Sequence, residues 1–176
     1  MSALRKFLLL SLLPLVGTLS QVSSGEALWP KTMGAGQVMA RAGYIFTGTV
    51  MTVKRIDSPN AVAKVEVTFR VDRGIRGVKS GQLLTIHEWG GLWADRERYR
   101  VGQSVVLFLY RTSKLGLTSP VGNSLGQLNI DKDGRVTLPP GWTAENPGGR
   151  ASEPGARWKS RMNVRDFTRE VERRAE

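Results

Sequence analysis

Six side chains between positions 89 and 100 form the densest group of chemically useful residues in the chain: Trp89, Trp93, Arg96, Arg98, Tyr99 and Arg100. Tryptophan and tyrosine offer flat amphipathic faces that stack on sugars, bases or peptide side chains. Arginine offers a charged fork that holds an anionic group. Interleaved in one loop, these residues are expected to make a binding surface. Glu88, Asp95 and Glu97 stand among them. Paired carboxylates serve glycoside hydrolysis, so a small hydrolase acting on an anionic polysaccharide, with Glu88 or Asp95 as its acid, is one reading. A structural reading competes, in which Trp89 and Trp93 plug one end of the fold.

Other chemistry is largely excluded. His87 is the only histidine. On a strand it and Glu88 point to opposite faces, so they do not make an acid–base pair. A metal site around it would need carboxylates that no spacing proposes. A serine triad would need His87 as its base, and Gly122-Asn123-Ser124-Leu125-Gly126 resembles a nucleophile elbow in outline only. Gly34-Ala35-Gly36 follows no strand, which argues against a dinucleotide or phosphate loop. The absence of cysteine removes disulfides, zinc–thiolate sites, a cysteine nucleophile and a lipid-modified N-terminal cysteine together. No catalytic residue, cofactor or metal is expected, and the balance leans away from an enzyme.

The loop must be held by a sheet. Ala61, Ala63, Val65, Val67, Phe69 and Val71 alternate with Val62, Lys64, Glu66, Thr68, Arg70 and Asp72. That period of two puts one face on a core and the other in water. Tyr44 to Val53 is rich in β-branched and aromatic residues and reads as a strand before it, with Gly48 marking a bulge or bend. Asp57-Ser58-Pro59-Asn60 is a turn. Gln82 to Trp89 reads as a third strand whose inner face is ambiguous between Leu83 and Leu84. Val105 to Tyr110 is apolar on both faces and must be covered on both sides, for example by a helix or loop. Leu115–Ser119 and Leu125–Ile130 look like further short strands, and Arg135–Leu138 is expected to pair back as a hairpin across the turn at 131–134. Gln37–Ala42 looks helical, with Val38, Met39 and Ala42 on one side. Asn163–Arg174 is expected to be a helix capped by Asn163, with Val164, Phe167 and Val171 on one stripe.

The ends and the charge bound the setting. Arg5 and Lys6 precede an apolar stretch from Phe7 to Leu19 and then small residues, the pattern of a secretory signal peptide over 1–27. The stretch is short and interrupted for a membrane span, which needs about 20 apolar residues. The chain carries a net charge of +11, and removing Arg5, Lys6 and Glu26 with the signal leaves +10. Such a balance draws a protein to anionic surfaces. The cations are mixed with acids along the chain, so a solvated face is the plainer reading and no specific nucleic-acid signal stands out. The expected organisation is a domain over 28–138, a Pro/Gly-rich linker over 139–160 and a C-terminal helix over 161–176. Pro139 to Gly155 is dense in proline and glycine, with Trp142 stranded among them, and reads as an extended linker or a poorly ordered loop, while Trp142 and Trp158 are expected either to cover the barrel or to dock a partner.

The order of elements is similar to the N-terminal barrel of tissue inhibitors of metalloproteinases and the netrin-like module. The similarity is carried by Ala42-Gly43-Tyr44-Ile45-Phe46-Thr47-Gly48-Thr49-Val50, Val71-Asp72-Arg73-Gly74-Ile75-Arg76-Gly77, Leu83-Leu84-Thr85-Ile86 and Tyr99-Arg100-Val101-Gly102-Gln103-Ser104-Val105-Val106-Leu107-Phe108-Leu109-Tyr110. It covers about residues 37–130. It implies a mainly β fold, a small five-stranded OB-like barrel with a short N-terminal and a C-terminal helix. Those inhibitors use an N-terminal cysteine to chelate zinc, for which this chain has no counterpart. The function expected is therefore an exported binding module, secreted or periplasmic and not an enzyme. It would present its Trp/Arg loop to an anionic envelope or extracellular polymer or to an exported protein. The alternatives are a partner or regulator of an exported protease, and the small glycan-acting hydrolase.

Overall fold

A computed structural model describes residues 33–57, 62–93, 97–143 and 158–175. The expected signal peptide, Asp95, Arg96, most of the turn at 57–60 and most of the expected linker lie outside these residues. All described residues fall in one compact unit, Lys31–Glu176.

The protein is mainly β. Strands β1 (Tyr44–Ile56), β2 (Lys64–Arg76), β3 (Leu83–Trp89), β4 (Ser104–Leu109) and β5 (Gln127–Asn129) form an antiparallel sheet in the order β3-β2-β1-β4-β5. Helices α1 (Ala35–Arg41) and α3 (Val164–Ala175) stand near its two chain ends. The long alternation reads true: Val65, Val67, Phe69 and Val71 are all buried. On β3, Leu84 is half-buried and Ile86 and Glu88 are buried, while Leu83 is exposed, which settles the ambiguous face. The β1/β2 register shifts between Thr47 and Gly48, and a Cβ on Gly48 would meet the backbone oxygen of Arg70 at 2.7 Å. Glycine is required there because the two backbones approach too closely for any side chain.

Each face of the sheet is covered. Phe46, Val50, Val67, Phe69, Ile86, Val105, Leu107, Leu109 and Tyr99 belong to an inner core. Ile45, Val106 and Phe108 point the other way, into an outer core with Val38, Met39, Trp142, Trp158, Phe167 and Val171. The apolar β4 is thus sandwiched, as its composition requires. Asn163 accepts a hydrogen bond from the Arg165 N–H at 2.9 Å, the expected cap of α3.

Three expectations are corrected. Leu115–Ser119 forms no strand, since Lys114–Gly116 turns and only Pro120 bridges to Leu109. β6 (Arg135–Thr137) pairs with β7 (Arg161–Asn163) rather than back across its turn, where a single bridge, Ile130 to Val136, remains. Pro140–Thr143 is a helical turn, α2, instead of extended linker. Trp142 drives this: it is buried against Phe108, Trp158 and Phe167, and its indole N–H reaches the Leu125 carbonyl at 3.0 Å. A ring of that size holds its backbone to the core despite the surrounding proline and glycine.

The two outer strands of the sheet, β3 and β5, do not pair with each other. One backbone hydrogen bond, from the Thr118 N–H to the His87 carbonyl at 2.9 Å, joins β3 to the segment that follows β4.

Candidate functional site

Glu88 lies on the inner face of β3, one alternation beyond Ile86, and has no exposed surface. Its carboxylate gathers three residues of the 89–100 loop. The Tyr99 hydroxyl donates to Oε1 at 3.1 Å and the Trp93 indole N–H donates to Oε2 at 3.0 Å. Arg98 Nε lies 3.1 Å from Oε2. Its N–H is not aligned for a hydrogen bond, so this contact is one of charge. Burial pushes the Glu88 carboxyl above its ordinary value, more than Arg98 and the donated hydrogen bonds pull it down. Tyr99 is pushed well up, first by burial and then by the charge of Glu88. The rings Phe46, Phe69 and Tyr99 pack edge to face and Trp93 lies tilted on Tyr99, a chain from the inner core up to this cluster with centroids 5.3–5.7 Å apart.

The carboxylate fixes where the loop side chains come to rest. Arg98 passes from Glu88 to the surface, where its Nη1 donates to the Asn123 side-chain oxygen at 2.6 Å. Its backbone carbonyl accepts from Gln127 Nε2 at 2.7 Å. Arg100 opens a tight turn closed by the Gln103 N–H on the Arg100 carbonyl at 3.0 Å. Gly102 holds that turn at φ +82°, a conformation that strains any side chain. The turn is anchored to β1 by two backbone hydrogen bonds between Val50 and Gly102–Gln103, of 2.8 and 2.9 Å. The Arg100 side chain projects into solvent, facing Glu97 at 3.4 Å.

Two surface grooves meet at Glu97, Arg100 and Val101. The larger, about 720 Å³, is lined by Arg98, Arg100, Gln103, Asn123, Ser124, Gln127 and Asn129 beside those residues. The smaller, about 430 Å³, runs past Arg55, Val65, Trp93 and Tyr99. Asn123 is the one non-glycine among the described residues with positive φ, 59°. Strain of this kind concentrates where a side chain must be aimed.

The structure therefore splits the six loop candidates. Trp93, Arg98 and Tyr99 come together on Glu88, and Arg98 and Arg100 share the larger groove. Trp89 stands apart on the far side of β3, about half exposed, so it plugs nothing, whereas Trp93 does pack on the inner core. Arg96 lies outside the described residues. His87 faces Glu66 at 3.3 Å on the outer side of the sheet, opposite Glu88. Glu88, enclosed by its three partners, has no surface from which to reach a substrate. Ser124 sits on an exposed 3-10 turn, Asn123–Leu125, that leads into a strand, not the strand-to-helix setting of a nucleophile elbow. Among the described residues no group of three or more histidine, cysteine or acidic side chains is placed to hold a metal ion, and no helix is long and apolar enough to cross a membrane.

Sequence reasoning missed the amide wall of the larger groove: Gln103, Asn123, Gln127 and Asn129. These come from three segments that only the pairing of β4 with β5 brings together. The one local signal was Gly122-Asn123, a pair suited to left-handed backbone. No family model, curated protein or solved structure matches this chain.

Proposed function

We propose that this chain is an exported, non-enzymatic binding module that takes an anionic polymer along the two joined grooves, with Arg100 at their junction. The observation that carries this reading is the larger groove itself: a polar trough walled by two arginines and four amides, with no nucleophile–base pair among the described residues. Glu97 does not close it, because an exposed pair such as Glu97–Arg100 is worth about 0–1 kcal/mol and yields to an incoming anion. The charge left after removal of the expected signal peptide, +11 less Arg5 and Lys6 and without Glu26, or +10, adds a long-range attraction for such a ligand.

The finer architecture belongs to the same reading. We take the five-stranded sheet as an OB-like barrel related in form to the netrin-like module. The Thr118–His87 hydrogen bond supports this, spanning the gap where a barrel would close. OB-like barrels bind across one face and the adjoining loops, which is where the grooves lie. Export follows from the expected signal peptide and places the ligand in the envelope or outside the cell.

The test uses Arg100→Ala, because Arg98 is tied to Glu88 and its removal would disturb the fold. Binding of an acidic polymer, followed by intrinsic tryptophan fluorescence, is expected to weaken about tenfold on loss of one such charged contact. Raising the salt from low to physiological strength should weaken the wild type as well. Equal affinity of Arg100→Ala and wild type for every polyanion tried would remove this groove as the site.

A further inference from the structure

The polarity of the larger groove can be read outward from groups that have only one polarity. The Arg100 backbone N–H can only donate, and it donates to Gln103 Oε1 at 2.9 Å. That leaves Gln103 Nε2 to donate, and it meets the Asn129 side-chain oxygen at 2.7 Å. The Asn129 amide is thereby fixed with its NH₂ toward the groove. The Arg98 guanidinium, also a donor only, claims the Asn123 oxygen and turns that NH₂ outward too. The Arg98 carbonyl can only accept, so it takes Gln127 Nε2 and leaves Gln127 Oε1 facing out as an acceptor. Beside the Glu97 carboxylate and the freely rotating Ser124 hydroxyl, the wall therefore shows the ligand two fixed NH₂ donors, one fixed carbonyl acceptor and the Arg100 cation.

We propose that this pattern selects an acidic sugar: a carboxylate for Arg100, hydroxyl oxygens for the NH₂ groups of Asn123 and Asn129, and a hydroxyl hydrogen for Gln127 Oε1. The inference rests on the binding reading above and narrows it. Gln127 decides the class. A polyphosphate offers acceptors alone and leaves its carbonyl unmet, and an unmet acceptor in a desolvated contact is costly. A neutral sugar satisfies the amides and leaves Arg100 idle.

The full chain is titrated at one ionic strength with an oligogalacturonate, a neutral glucan oligomer and polyphosphate. The wild type is expected to bind the oligogalacturonate at least about tenfold more tightly than the other two, one good hydrogen bond or charged contact separating each pair. Gln127→Leu should weaken the oligogalacturonate about tenfold and leave polyphosphate unchanged. Asn129→Asp keeps the acceptor that Gln103 needs but turns the outward donor into an anion. It should weaken the oligogalacturonate at least as much, without lowering the melting temperature. The inference falls if polyphosphate or glucan binds as tightly as oligogalacturonate, or if Gln127→Leu weakens both anions alike. If Arg100→Ala weakens every polyanion while Gln127→Leu weakens none, the binding module stands and its sugar selectivity does not. If the wild type binds no polyanion, both fall.

Discussion

Glu88 is the residue on which the site turns, and its burial makes a prediction of definite sign. A carboxyl whose value is raised in the folded protein binds protons more readily there than in the unfolded chain. Its contribution to stability is complete below the ordinary value of 4.5 and is lost as pH rises through the raised one. Asp131 and Glu170 run the opposite way: hydrogen bonds from the Arg135 backbone and from Arg173, respectively, are the main causes that lower them, so their contributions are lost on acidification. Those groups are common to wild type and Glu88→Gln, so the difference between the two isolates Glu88. Urea unfolding from about pH 4 to about pH 7 is expected to show wild type losing stability relative to Glu88→Gln as pH rises. A difference that is flat or rises would mean that Arg98 outweighs burial. Glu88 and its three partners were all legible as residues with chemical character, but the competing Leu83 and Leu84 left the inner face of β3 open, and only the burial of Ile86 and Glu88 puts Glu88 inward. Its meeting with Arg98 was not legible, because a loop carries no period from which to tell which side chain turns back to the core.

Among the elements, helices α1 and α3 depend on one arginine. α1 has seven residues, too few to hold together alone. Arg76, at the end of β2, sends Nη1 to the Met39 carbonyl at 2.7 Å and the Ala42 carbonyl at 3.3 Å, and Nη2 to the Ala175 carbonyl at 2.7 Å. It thereby satisfies carbonyls left open at the C-terminal ends of both α1 and α3 and pins these ends to the sheet. Arg76→Met keeps the stem and removes the fork, and it is expected to cost about 1.5–3 kcal/mol, the worth of a hydrogen bond to a charged group. Arg73→Met breaks a bidentate pair with Glu172, at 2.7 Å for both contacts, but in an exposed setting, and should cost under about 1 kcal/mol. Chemical denaturation of the two variants compares them directly, and equal costs would contradict the clamp. The helices, β1 to β4 and the bulge at Gly48 were legible because period, cap and glycine each carry a local signal. β7 was not: the alternation of Arg161–Asn163 lasts only three residues, too few to read as a period, and it is a strand only because β6 lies beside it.

At the scale of the whole molecule, the two cores share a wall. Val105, Leu107 and Leu109 face inward from β4 while Val106 and Phe108 face outward, so neither core can open without unpacking the strand that bounds the other. The double apolar run made the need for two covers evident in the sequence, and Trp142 and Trp158 were open between covering the sheet and docking a partner; that they cover it together with α2 and α3 came only from the fold. Shared strands of this kind make unfolding all-or-none. Phe167 tests it from the outer side, where it is fully buried against Phe108, Trp142 and Trp158 as part of the outer core. Phe167→Ala is expected to cost about 3–5 kcal/mol. With 5-fluorotryptophan incorporated, the resonances of Trp93 in the inner core and Trp142 in the outer core report the two sides separately through a urea titration. In the wild type their midpoints should coincide, and in Phe167→Ala both should move down together by the same amount, because the lost packing reaches the inner side only through β4. A Trp142 midpoint that moves while that of Trp93 stays would show two independent layers.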